Sequence, residues 1–286
     1  MRTACLAGWR IALRRWPVML ALFGSNLVAG LIFAGIAAAW LSSALDASLA
    51  TRTLLTDLDM NVFVDLLANH GDTLQLLLVG GGFLAVVLAL VGVGLNALAV
   101  VAVNEDGSLR DCVRRSVDVY SRYVLLAALT AVVYVVGILG VSWLGRALTH
   151  WTADSSSEML IYWLLGAAAA GAALGGLFCT TVHDHARIHC VATGSGALRS
   201  YWWALAYVAG REWRAFPLTL VLGSLGLTGW AGYQSVGMLI HTHDTFGLTL
   251  SLVWGELFLL GRMLLRVWTF AAESELQMLS ERGAGS

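Results

Sequence analysis

A carboxylate, Glu256, sits inside the apolar run 246–272, a stretch long enough to cross a bilayer. It lies about ten residues into that run, hence roughly 15 Å deep at about 1.5 Å per residue. An ionisable group at that depth is costly in hydrocarbon, which makes it a candidate for function. The chemistry open to it is proton or cation binding, or a hydrogen bond to a neighbouring helix. Asn26, Asn96 and Gln234 occupy three further apolar runs. Each reads as polar glue between helices, and each gains functional meaning only by converging on Glu256.

Arg262 and Arg266, later in the same run, are four apart and share one face. Long side chains near a span's end reach the headgroups, and a guanidinium fork also suits a carboxylate or a lipid phosphate. Asp184, at the end of the fourth apolar run, is the expected partner, and Arg187 completes this ion-pair or headgroup set. Such a pair would lock two helices together. His185 and His189 are four apart, a spacing that can chelate, but no third ligand stands at a defined distance. They are metal candidates on spacing alone, and no metal is expected. A second group, His241, His243 and Asp244, falls at the far end of the fifth run. The sequence holds no phosphate loop, nucleophile elbow or dinucleotide fingerprint, so no catalytic residue or cofactor is assigned. Gly194-Ser195-Gly196 reads as the loop that starts a helix over 197–208, and Gly80-Gly81-Gly82 as a tight or flexible point.

These residues are held by a chain built for lipid. Of 286 residues 58% are hydrophobic and 12% charged, about half the charge of a typical soluble domain. Apolar runs predict six membrane-spanning helices at about 17–42, 74–101, 123–144, 159–182, 216–240 and 247–271, since backbone in lipid must bond internally. The fold class is therefore all-α and polytopic, one membrane domain over 1–286. Net charge is −1, which excludes a bulk electrostatic case for nucleic acid. All 17 basic residues are arginine, consistent with codon usage in a GC-rich bacterium. Four cysteines form no C-x-x-C pair, and the long first run is not that of a cleavable signal peptide.

Arginines set the direction of insertion. Twelve lie before span one, between spans two and three and between spans four and five; the opposite loops hold only Arg52 and Arg146. The positive-inside rule then places both termini in the cytoplasm, with the bacterial inner membrane as location. Odd spans are introduced by amphipathic, aromatic-containing stretches ending at Arg14-Arg15-Trp16-Pro17, Tyr120-Ser121-Arg122-Tyr123 and Trp213-Arg214-Ala215-Phe216-Pro217. Three hairpins, each entered through an interfacial helix, are expected. In the first outer loop, 54–59 and 62–67 read as short amphipathic helices.

The stretch Asp184-His185-Ala186-Arg187-Ile188 resembles the D-Y-A-R-I signature of a bacterial family of uncharacterised six-span inner-membrane proteins. That family looks related to the membrane domain accompanying some glycerophosphodiester phosphodiesterases. The segment 264–273 resembles its closing segment, and the three-hairpin layout is similar across most of the chain. His185 stands where the family has tyrosine, an aromatic exchange suited to an interface. The resemblance implies architecture and no transferable reaction; the hydrolase activity belongs to a separate domain. The first reading is a non-enzymatic scaffold or accessory subunit, or a protein that engages membrane lipids through its arginines, with a membrane-protein partner or a second copy. The alternatives are a transporter of small molecules or lipid using Glu256, and a membrane enzyme with a cytoplasmic-side site near Asp184, His189 and Arg266.

Overall fold

The computed structural model describes residues 2–45, 71–105, 107–152, 158–240 and 245–284. Eight helices account for nearly all of them: α1 (Arg2–Arg14), α2 (Trp16–Leu45), α3 (Gly71–Asn104), α4 (Leu109–Thr152), α5 (Glu158–Thr193), α6 (Ala197–Ala206), α7 (Ala215–Gly237) and α8 (Thr245–Ala284). No strand occurs among the described residues. Six of the helices, α2, α3, α4, α5, α7 and α8, are long and apolar enough to cross a membrane. The protein is an all-α, multi-pass membrane protein. The outer-loop segments 54–59 and 62–67, and the group His241, His243 and Asp244, lie outside the described residues.

The three expected entry junctions differ, and proline explains the difference. α1 ends at Arg14 and α2 begins at Trp16, with Pro17 in its first turn; α7 begins at Ala215, with Pro217 in its first turn. A first-turn N–H has no helical partner, so proline is tolerated there and nowhere further in. The middle junction has no proline, and α4 runs unbroken through Tyr120–Tyr123. The interfacial helix expected before the third span is instead continuous with it. After α6 a π-turn at Tyr207–Arg211 widens the helix, with Glu212 N–H donating to the Tyr207 carbonyl at 2.8 Å.

The chain divides into two compact units, residues 21–92 and residues 1–20 with 93–286. In the first, large apolar side chains such as Leu31, Phe83 and Val86 are exposed, as lipid-facing residues are. A Cβ added at Gly80, Gly81 or Gly82 would meet open space, so these glycines mark no tight approach among the described residues.

The second unit holds the core. Residues 181–191 of α5 are buried on every side, and so are most of 267–277 of α8. A helix buried all round is normally apolar all round; this stretch of α5 instead carries His183, Asp184, His185, Arg187 and His189. α1 lies on α8 through Ala4, Gly8 and Ala12, a stripe at four-residue spacing. A Cβ at Gly8 would stand 2.6 Å from the Ala272 nitrogen and 2.8 Å from its Cα. Only glycine permits that approach. Trp9 meets Trp268 edge-on at 4.9 Å, and the Trp268 indole N–H donates to the Cys5 carbonyl at 2.9 Å. The first and last helices of the chain thus share the arginine-rich end.

Candidate functional site

Asp184 is fully buried, and two arginines converge on it. Arg266 of α8 donates from both terminal nitrogens, at 2.8 Å to Oδ2 and 3.0 Å to Oδ1. Arg187, one turn along α5, adds a third bond to Oδ1 at 3.2 Å. The forked geometry matches a carboxylate oxygen for oxygen, and charge-assisted bonds of this kind are about twice as strong as neutral ones. The Arg266 guanidinium also lies 4.1 Å from the centre of the Phe270 ring, which its charge attracts.

The cluster extends to four helices. On α4, the Tyr123 hydroxyl donates to the Arg187 carbonyl at 3.1 Å, and Thr130 Oγ1 meets His183 Nδ1 at 2.5 Å. On α7, Thr219 donates to Glu273 Oε1 at 2.9 Å, with Oε2 of that buried carboxylate lacking a hydrogen-bond partner. Glu273 is seven residues from Arg266, hence on the same face of α8, and within Coulombic reach of Arg187 and Arg266. Two acidic side chains and two guanidiniums are thus gathered in one cluster, with Asp184 the carboxylate that both guanidiniums bond. A buried charge needs such pairing.

The histidines divide. His185 is buried without a hydrogen-bond partner on either ring nitrogen, beside Gln277 and packed on Tyr207 with ring centres 5.1 Å apart. The expectation of an aromatic at an interface is corrected: position 185 is interior, because 181–191 is wrapped on all sides. His189 stacks on Trp203 at 4.1 Å and meets Ser195 Oγ at 3.2 Å and Ser200 Oγ at 3.4 Å. His189 is therefore held by an aromatic stack and His185 by a tilted ring contact, and no group of three metal-ligating side chains occurs among the described residues. The Asp184–Arg266 pair lies on a different side of α5 from His189, so the three residues of the enzyme reading do not meet. Gly194, at φ +65°, turns the chain into α6, and Arg122 donates to its carbonyl at 2.6 Å.

Within the larger unit, Glu256 forms no hydrogen bond with Asn96 or Gln234. Glu256 is partly buried; its Oε2 is shielded, and it forms no hydrogen bond or ion pair with any described residue. Asn26 donates to the Leu22 carbonyl of its own helix at 2.8 Å, Asn96 is half-buried and Gln234 is exposed on α7. Arg262 parts company with Arg266. It is exposed and makes no ion pair among the described residues.

Glu273 and the serines around His189 escaped the sequence reading. The seven-residue spacing from Arg266 to Glu273 was the available signal for the first. Comparison with protein families, with curated proteins and with solved structures finds no match for this chain.

Proposed function

We propose that this is a non-enzymatic membrane protein of the bacterial inner membrane, with both termini cytoplasmic, whose arginine-rich end holds anionic lipid headgroups and serves as a scaffold for a membrane partner. One observation carries the reading: Asp184 takes both interior guanidiniums, while arginines at the same end of the unit are left outward. On α1 the face opposite α8 exposes Arg2, Leu6, Arg10, Leu13 and Arg14, with Trp16 beside them. Arginine, leucine and tryptophan on one exposed face describe a helix lying in a membrane interface. Arg115, by contrast, pairs with Glu105 at 3.4 Å, and Asp111 and Asp118 are exposed nearby. α1 is therefore the preferred headgroup surface.

Kinship with the six-span family is part of this proposal. Its support is that 184–188, the stretch resembling the family signature, forms the centre of the larger unit.

Juxtamembrane arginines attract anionic headgroups by about 1 kcal/mol each. Purified protein in mixed micelles should bind phosphatidylglycerol more tightly than phosphatidylcholine. An Arg10→Ala/Arg14→Ala variant should lose about 2 kcal/mol of that preference. Equal binding of both lipids by the unaltered protein refutes the lipid reading.

A further inference from the structure

A groove runs between α7 and α8 and is closed at one end by α1. Its cavity of about 690 Å³ is lined by Trp9, Leu225, Trp230, Phe258 and Trp268, with Gly226, Gly229 and Gly261 flattening the walls. Arg262 is the one charged residue in that lining. A second cavity of about 290 Å³ continues from it, sharing Gly229 and Phe258, and is lined beyond them by Tyr233, Val236, Trp254 and Leu257. The volume of the first falls within the ~300–1,000 Å³ of small-molecule sites.

We propose that this groove binds one anionic phospholipid of the surrounding bilayer, its phosphate on Arg262 and one acyl chain along α7 and α8. Three observations support that occupant. Arg262 lies one turn, about 6 Å, deeper than Arg266 toward the bilayer midplane. Arg266 is neutralised by Asp184, whereas Arg262 has no carboxylate among the described residues. An unpaired guanidinium at membrane depth draws in an anion, and a phosphate matches its fork. The walls are ordered so that Arg262, Trp9 and Trp268 stand toward the arginine-rich end and only apolar or aromatic side chains, Trp230 and Trp254 among them, follow. That is the polarity of a phospholipid in its own leaflet.

The groove is preformed. Tyr233 stacks on Phe258 at 4.4 Å, and the Trp254 indole donates to the Tyr233 carbonyl at 3.1 Å, so its floor is fixed before any lipid arrives. A Cβ at Gly229 would meet nothing within 4 Å, so that position has room to be filled without disturbing α7. The site uses none of the α1 arginines of the headgroup surface, so it extends the lipid reading and can fail separately from it.

Native mass spectrometry of protein released from nanodiscs containing equal phosphatidylglycerol and phosphatidylcholine tests the proposal. One retained phosphatidylglycerol per chain is expected, favoured by about fivefold, the worth of one arginine against an anionic headgroup. Arg262→Gln should abolish that preference and Arg262→Lys should restore most of it. Gly229→Leu should displace the lipid while helix content and melting temperature stay unchanged. Arg10→Ala/Arg14→Ala should leave the retained lipid in place even as micelle binding weakens. Equal retention of the two lipids, retention unaffected by both Arg262→Gln and Gly229→Leu, a bound fatty acid, or a second copy of the chain in place of lipid would each overturn it.

Discussion

Replacing Arg266 with methionine should strand Asp184 and destabilise the protein strongly. The substitution removes the two bonds at 2.8 and 3.0 Å and leaves Asp184 held by Arg187 alone, at 3.2 Å. Hydrogen bonds to charged groups contribute roughly 1.5–3 kcal/mol each, and stranding one member of a buried pair costs about 3–5 kcal/mol. The Asp184 side chain is 1% exposed and that of Arg266 32%, so water offsets part of the loss and the lower figure applies, about 3 kcal/mol. Asp184→Leu should cost a similar amount by leaving Arg187 and Arg266 facing each other. The double variant Asp184→Leu/Arg266→Met removes both charges together, and its loss should fall short of the sum of the singles by at least about 1.5 kcal/mol. Reversible unfolding in mixed micelles at increasing sodium dodecyl sulfate, followed by circular dichroism, measures all three. A loss below about 1 kcal/mol for Arg266→Met would show that the pair behaves like an exposed one. The account of a central lock would then be wrong.

Three further outcomes follow from other contacts. Gly8→Val should undock α1, because its Cβ meets the Ala272 backbone at 2.6 Å; maleimide labelling of Cys5 should rise, whereas Gly137→Ala, with open space around it, should be neutral or stabilise by up to about 1 kcal/mol. Thr219→Val removes the hydrogen bond to Glu273 Oε1 and should cost about 1–3 kcal/mol in the same unfolding assay. Alkaline phosphatase inserted between α4 and α5 should be active, and green fluorescent protein fused after α8 should fluoresce, if the arginine-rich end is cytoplasmic.

The six spans were readable because apolar length is a one-dimensional signal, and the structure keeps all six. Charge placement made Asp184 and Arg266 a plausible pair, since both fall near the same ends of their runs. Other features depend on which faces meet, and single-helix periodicity does not carry that information. His185 looked interfacial because it follows an apolar run directly; it is interior because α4, α6, α7 and the second half of α8 pack around α5. The middle entry helix looked separable by analogy with its neighbours, but the neighbours break at prolines that it lacks. The groove beside Arg262 could not be foreseen at all. It requires α7 and α8 to present their glycines to a shared space, with Trp9 arriving from the other end of the chain.

The unbroken course of α4 sets a distance. Its 44 residues span about 66 Å, against roughly 40–45 Å for a bilayer with its headgroups. With the apolar stretch of 123–144 in the hydrocarbon, Arg110 is thirteen residues short of Tyr123, about 20 Å along a straight rod. Physiological salt damps electric fields over about 8 Å. A rod held along the bilayer normal would therefore carry Arg110 out of the field of the lipid surface, whereas the break at Arg15 lets α1 turn aside and stay within it. One end of this molecule would then offer two kinds of positive charge, one addressed to lipid and one to whatever approaches from the aqueous side.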